Sequence, residues 1–447
     1  MESRWNSLCG AHPLITNIFA LSFQLEAGRF SLFEQIRFER SNMNVKLNTF
    51  SKIANDANVR GIFFQVVLIA ALVFSFFWLT DNTLTNLSNQ GKSLGFGFLT
   101  GTAGFQISQT FGTWLFDYKV GTSTYLDVYY IGIANTLLVA VLGIFAATVI
   151  GFTLGIMRLS NNIVFRAFAT TYIELLRNIP ILLQLFFWYF AVLRALPGKR
   201  EKLEIIPDLI GVNITGLYLP APVPEEGFVY SVIAFALAAL LTVCVSRFAK
   251  HVQAQTGKII PVFLIGIALF VFIPLIIFLF TNSPLDWNIP EFKDTGSMLR
   301  RGYQSGAGMT LVPELLAVWL ALSLYTAAFI AEIVRAGILA VSKGQTEAAS
   351  ALGIRPNYTL RLVIIPQAMR VIIPPLTSQY LNITKNSSLA VAIAYPELVS
   401  VFAGTALNQV GKEIEMIFMM MMVYLTVSLI TAAFMNWYND RVKLVER

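Results

Sequence analysis

Long apolar runs separated by shorter polar stretches recur along the chain. A helix needs about 20 predominantly apolar residues to cross a bilayer. Eight stretches reach or approach that length: 62–79, 130–157, 167–193, 229–245, 259–280, 311–339, 371–394 and 417–435. Two of them are more polar than the rest. Arg177, Asn178 and Pro180 interrupt 167–193, and Pro374, Pro375 and Lys385 interrupt 371–394. The pattern predicts an all-α polytopic membrane protein with about eight transmembrane helices. Two long segments between spans, 81–123 and 197–227, are rich in turn-forming residues and read as irregular structure outside the membrane.

Basic residues in the short loops set the expected orientation. With the N-terminus inside, the inner set is Lys46, Lys52, Arg60, Arg158, Arg166, Arg247, Lys250, Lys258, Lys343, Arg355, Arg361, Arg441, Lys443 and Arg447. Many acids, among them Asp81, Asp127, Glu225, Glu226, Asp286, Glu291 and Glu397, then fall outside. Arg300, Arg301, Lys199, Arg200 and Lys202 run against the rule, and the last three stand beside Glu201 and Glu204. Both termini are expected in the cytoplasm. The expected divisions are a cytoplasmic segment 1–60, a first helix and external loop over 61–128, and a membrane domain 129–440. Within the last, 197–310 reads as an insert carrying two extra helices. Residues 1–42 show no functional pattern, and Met43, followed by Lys46, Lys52 and Arg60, is the expected native start.

Composition agrees with the pattern. Of 447 residues, 56% are hydrophobic and 13% charged, about half the ~25% of soluble proteins. Mean hydropathy is +0.66. The net charge of +7 needs no nucleic acid, because Lys and Arg on one side of a bilayer give the same surplus. Cys9, Cys244, His12 and His251 have no metal-ligand spacing, and so few His and Cys leave little for a membrane enzyme to work with. The run Met419–Met422 invites a copper reading. Consecutive residues point to different sides of a helix, so lipid-facing and packing roles are expected instead.

The most specific sequence is Gly344-Gln-Thr-Glu347-Ala348-Ala349-Ser-Ala-Leu352-Gly353-Ile-Arg355-Pro356, continuing to Val363-Ile-Ile365-Pro366. It predicts two short helices around a tight turn. Gly353 suits a left-handed cap, and Pro356 suits a helix start, where its missing N–H costs nothing. The alanines keep the first helix slim enough to lie in a groove of a partner. No phosphate-binding Gly-x-x-x-x-Gly-Lys-Ser/Thr occurs.

This stretch resembles the EAA loop of ABC-importer permeases, the coupling helix that docks on the ATPase subunit. The match covers Glu347, Ala348, Ala349, Gly353 and Pro366, within a coupling loop at 342–366, and Val363-Ile-Ile365-Pro366 departs mildly from the usual Ile-x-Leu-Pro. Further segments are similar to the polar-amino-acid permease group: Asn135-Thr-Leu-Leu, Glu174-Leu-Leu-Arg177-Asn-Ile-Pro180, Ala331-Glu332-Ile-Val-Arg335-Ala-Gly337 and Lys385-Asn-Ser387-Ser388-Leu389. Asp56, Val59-Arg60-Gly-Ile, Gln65 and Gly95-Phe-Gly-Phe-Leu are similar to the larger permeases of broad-range L-amino-acid importers. The resemblance implies a five-helix type I core (130–157, 167–193, 311–339, 371–394 and 417–435) with added helices. It implies a second related permease forming a heterodimer, a cytoplasmic ATPase dimer holding ATP and magnesium, and an external binding protein. It implies no cofactor in this chain.

Ionisable groups at membrane depth usually face a cavity or a partner. Glu174 and Arg177 are three apart, as are Glu332 and Arg335, so each pair shares a helical face. Each pair either neutralises itself for insertion or lines a path that recognises an amino-acid zwitterion. The run Gln379, Asn382, Thr384, Lys385, Asn386, Ser387 and Ser388 reads as irregular backbone lining that path, since Pro374 and Pro375 precede it. The other reading is a helix interface joined by Ser and Asn. Gln184 joins the path candidates. An ion-coupled secondary transporter of amino acids is the alternative function.

Overall fold

The computed structural model describes residues 57–442 except 90, 92–93, 259, 283–284, 295–300 and 305. The expectations for 1–42 and for Met43 lie outside the described residues. Two units separate at Ser93. The first contributes helix α1 (Ala57–Asn89). It is apolar along its length and exposed almost throughout. It continues to Asn89, so the first part of 81–123 is helical rather than irregular.

The second unit begins with a short helix, α2 (Phe111–Leu115), and then α3 (Tyr125–Arg158). Thr124 caps α3: its hydroxyl accepts from the Asp127 N–H while Asp127 reaches back to the Thr124 N–H, a reciprocal pair that satisfies two free donors. Helix α4 (Ile163–Asn178) follows, then α5 (Ile181–Phe186), which runs on as a π turn and a 3₁₀ turn to Ala195. The expected span 167–193 is therefore broken, with a bend of 106°. Ile179 precedes a proline, takes an extended conformation and ends α4. Counting this pair as one span, eight spans exist among the described residues.

The expected insert holds α6 (Phe228–Thr256) and α7 (Val262–Phe280), an antiparallel hairpin whose helices pack chiefly on each other. Its flanks are not irregular. They form strands β1 (Leu203–Ile206), β2 (Ile210–Asn213), β3 (Gly216–Leu219), β4 (Ala221–Pro224), β5 (Leu285–Asn288), β6 (Phe292–Lys293), β7 (Gly302–Tyr303) and β8 (Met309–Leu311). The order is β1-β2-β3-β8, with separate antiparallel pairs β4-β5 and β6-β7. The all-α expectation thus holds for the membrane part alone. The prolines of 221–224 disguised β4, because proline fits a strand only where its missing N–H faces away from the ladder.

Helix α8 (Pro313–Leu339) is the most buried span. After it come α9 (Lys343–Ala351), α10 (Pro356–Thr359), a π turn at Leu360–Ile364, α11 (Ile365–Asn386), α12 (Leu407–Val410) and α13 (Glu413–Val442). α11 runs unbroken through Pro374 and Pro375, contrary to the expected irregular backbone. Both prolines lie on its exposed side, away from the packed core.

The core is a seam between α3 and α8, with α11 and α13 closing it. Gly151 and Gly155 lie one turn apart on α3 and let α8 approach closely. A Cβ at Gly151 would stand 2.6 Å from Ile330 Cβ, and one at Gly155 would stand 2.7 Å from the Ala331 carbonyl oxygen. Ala147, Ile330, Val334, Ile372, Ile373 and Ile383 fill the space around the seam. At the opposite end from the 342–366 loop, Asn135 is fully buried in α3. It accepts from the Gly112 N–H at 2.8 Å and donates to the Pro396 carbonyl at 2.8 Å and to Thr110 Oγ1 at 2.9 Å. One side chain thereby fastens both the α2 segment and the connection after α11. Met416 is buried in this region, Met419 and Met420 pack against it, and Met421 and Met422 are exposed.

Candidate functional site

The 342–366 loop forms from strictly local chemistry. Ser342 caps α9 by accepting from the Gly344 N–H at 3.2 Å. Gly353 has φ +72°, the left-handed region that favours glycine. The Ile354 N–H donates to the Ala349 carbonyl and the Gly353 N–H to the Ser350 carbonyl, which together make a Schellman cap. Arg355 is extended, and Pro356 opens α10. Gln367 at the head of α11 donates to Gln345 at 3.1 Å and ties the loop to the span that follows. Glu347, Ala348 and Gly353 are exposed, Ala349 is buried, and Pro366 is half-buried. Leu352 is 78% exposed at the tip, with Tyr358, Leu360 and Leu362 also exposed nearby in the chain. Leu352 stood inside the motif, yet residue type alone gave no sign that it points outward.

The second region is one face of α11. Pro374, Pro375, Ser378, Asn382 and Lys385 follow helical spacing and are exposed, with Gln379 and Ser388 half-buried beside them. Ile383 packs against Gly143, near the middle of α3, since a Cβ there would lie 3.2 Å from Ile383 Cγ2. Lys385, two residues on, is therefore near mid-depth. It makes no ion pair among the described residues. A free ammonium at that depth costs several kcal/mol against lipid, so this face does not turn toward hydrocarbon. The polar run divides between faces. Ser387 is fully buried and donates to the Thr384 carbonyl, and Ser388 donates to the Lys385 carbonyl, each at 2.7 Å. Gln184 is buried, and its amide donates to the Leu176 and Ile179 carbonyls, which the bend between α4 and α5 leaves free. Ser387 and Gln184 thus pack inward, a correction to their reading as path-lining groups.

The charged pairs differ from each other. Glu332 and Arg335 meet as their spacing expects, at 2.6 Å. Glu174 does not pair with Arg177. It accepts from Arg158 of α3 at 3.1 Å, while the Arg177 guanidinium lies 5.3 Å from the Phe329 ring centre. Arg158 also donates to Glu332 at 2.5 Å, so one guanidinium joins α3, α4 and α8. In sequence Arg158 was only one inner cation among many, because a contact between helices leaves no local spacing signal.

Glu397, expected among the outer-loop acids, lies in the connection between the last two spans and is fully buried there. Burial raises its carboxyl to about 7, against the opposing pull of the Val399 and Ser400 N–H groups and the Tyr424 hydroxyl. Burial likewise pushes the Tyr395 phenol up.

Comparison with known proteins places this geometry. Residues 251–444 match the family described as the binding-protein-dependent transport system inner membrane component. The chain is 50% identical over 389 residues to the putative amino-acid ABC transporter permease protein YhdX of Escherichia coli, covering 87% of this chain and 95% of that protein. It is 46% identical to the general L-amino acid transport system permease protein AapQ of Rhizobium johnstonii, over 89% of this chain and 96% of the relative. It is 39% identical to the glutamate/glutamine/aspartate/asparagine transport system permease protein BztB of Rhodobacter capsulatus, over 89% and 97%. None of these is an ion-coupled carrier, so the alternative function finds no support. The chain belongs to the family of amino-acid ABC transporter permeases.

Proposed function

We propose that this chain moves L-amino acids across the bacterial inner membrane, with both termini cytoplasmic, paired with a second related permease. A separate ATPase dimer binds ATP and magnesium and hydrolyses the ATP, and an external binding protein delivers the substrate. The chain itself breaks no covalent bond. Helix α9, with Glu347, Ala348, Ala349 and Gly353, seats in the ATPase, and Pro366 starts the return into the membrane. The exposed α11 face with Gln379, Asn382, Lys385 and Ser388 lines the path where two permeases meet. Arg158, Glu174, Glu332 and Arg335 tie the helices that must move together, with Arg177 beside them.

The observation that carries this reading is the exposed, doubly capped α9, which follows the buried α8 after three residues, 340–342. ATP binding closes the ATPase dimer and displaces α9. A rigid α8–α3 seam passes that displacement to the core helices, which turn from inward- to outward-facing. The test is uptake of labelled amino acids into proteoliposomes holding the assembled complex. Uptake that requires internal ATP and external binding protein supports the reading. Uptake driven by an ion gradient without ATP overturns it.

A further inference from the structure

The α6–α7 hairpin has no part in the coupling loop, the path or the α3–α8 seam. Its helices are long and apolar enough to cross a membrane, and most of their outward surface is exposed. Its charge is one-sided. Between Glu226 and Asp286 the sequence holds no acid, while Arg247, Lys250 and Lys258 all fall within 247–258, where the two helices turn. This turn is at the far end of the hairpin from the β4–β5 pair. Arg247 and Lys250 are three apart on the last turns of α6 and share a face. All three cations are exposed, and none makes an ion pair among the described residues. Phe248 is 63% exposed beside them, and Phe263 is 78% exposed at the start of α7.

We propose that this turn is a docking surface for anionic phospholipid. Arg247, Lys250 and Lys258 hold headgroup phosphates, and Phe248 and Phe263 lie against the first carbons of the acyl chains. Charge complementarity selects the partner, because three cations that make no ion pair among the described residues, in a stretch of sequence without acids, attract an anionic leaflet far more than a zwitterionic one. The aromatic rings beside the cations suit a boundary of headgroup over hydrocarbon, which an acidic protein surface would not provide. The hairpin would then anchor the rim of the permease, a role independent of the transport reading.

Each Lys or Arg near an anionic surface is worth about fivefold in binding, so three together are worth on the order of a hundredfold. The test titrates the assembled, purified complex with phosphatidylglycerol and, separately, with phosphatidylcholine, counting bound lipids by native mass spectrometry. In the variant R247Q/K250Q/K258Q, phosphatidylglycerol should bind about a hundredfold more weakly at the tightest site, with phosphatidylcholine unchanged. The charge-conserving R247K/K250R/K258R should retain wild-type binding. The substituted side chains are exposed, so the complex should still assemble. If the triple variant fails to assemble, each single Gln substitution should still show about a fivefold loss. Equal phosphatidylglycerol binding by wild type and the Gln variants overturns the proposal. So does loss of a co-purifying acidic protein with lipid binding unchanged.

Discussion

The seam between α3 and α8 gives the sharpest energetic test, because one substitution made at two points on the same helix should give different results. At Gly155 an added Cβ meets the Ala331 carbonyl oxygen at 2.7 Å, Val334 Cβ at 2.8 Å and Val334 Cγ1 at 2.9 Å. Comfortable carbon contacts lie at about 3.5–4.0 Å, so Gly155→Ala forces the helices apart by roughly 0.5–1 Å. A seam making about as many contacts as one buried leucine, ~40–60 at ~0.1–0.2 kcal/mol each, loses at least a quarter of its attraction at that gap, or about 1–3 kcal/mol. Overpacked cores lose a similar amount. Replacing helical glycine by alanine returns about 0.5–1 kcal/mol of backbone entropy, so the net loss is up to about 2.5 kcal/mol, centred near ~1 kcal/mol. At Gly143 the added Cβ meets only Ile383 Cγ2, at 3.2 Å. That contact needs a give of only a few tenths of an ångström, a cost that the about 0.5–1 kcal/mol returned by replacing glycine offsets, so Gly143→Ala should be neutral within about 0.5 kcal/mol. The assay is thermal unfolding of the purified complex by tryptophan fluorescence, together with its ATPase activity. Gly155→Ala should melt a few degrees lower and couple poorly, while Gly143→Ala matches wild type. Equal melting of the two variants would refute the claim that backbone approach at the seam holds the core together.

The exposed face of α11 predicts that Lys385→Met leaves stability unchanged or raised, since it removes an unpaired charge, while uptake falls at least about tenfold. Normal uptake in proteoliposomes would place the path elsewhere. Arg158→Gln should cost only about 1–2 kcal/mol, because Glu332 keeps Arg335 and Glu174 is partly solvated; a melting drop far beyond that would contradict the pairing seen here. Glu397 has a folded pKa of about 7, above its unfolded value, so the folded state holds the extra proton between them. Stability should therefore fall as pH rises from about 4.5 through 7 and level off above it, and Glu397→Gln should flatten that slope. Melting curves of both proteins across that range check the sign.

Hydrophobic run length made the membrane spans legible, and the helix–turn–helix at 342–366 was legible because its turn is dictated locally by Gly353 and Pro356. The strands around the insert were not, since each is four residues or fewer, and β3–β8 and β4–β5 pair across long separations. Pro180 and Pro374–Pro375 look alike in sequence but differ in structure. The first ends a helix whose freed carbonyls Gln184 can satisfy, whereas the second pair rides on the exposed side of a continuous helix. Arg158 escaped because its partners come from other helices, and Glu397 because its burial depends on the packing of α13 and α3 around it. The exposed stripe of α11 could have been found by laying 374–388 on a helical wheel, had the prolines not argued against a helix.

The central claim is that α9 transmits ATP-driven motion to this permease. Its most direct test is amino-acid-stimulated ATP hydrolysis by the reconstituted complex carrying Glu347→Lys or Gly353→Val. The account predicts that both variants insert and pair normally yet lose stimulation, because one reverses a charge on the docking helix and the other forces a side chain into a left-handed turn. Full stimulation in both variants would contradict it.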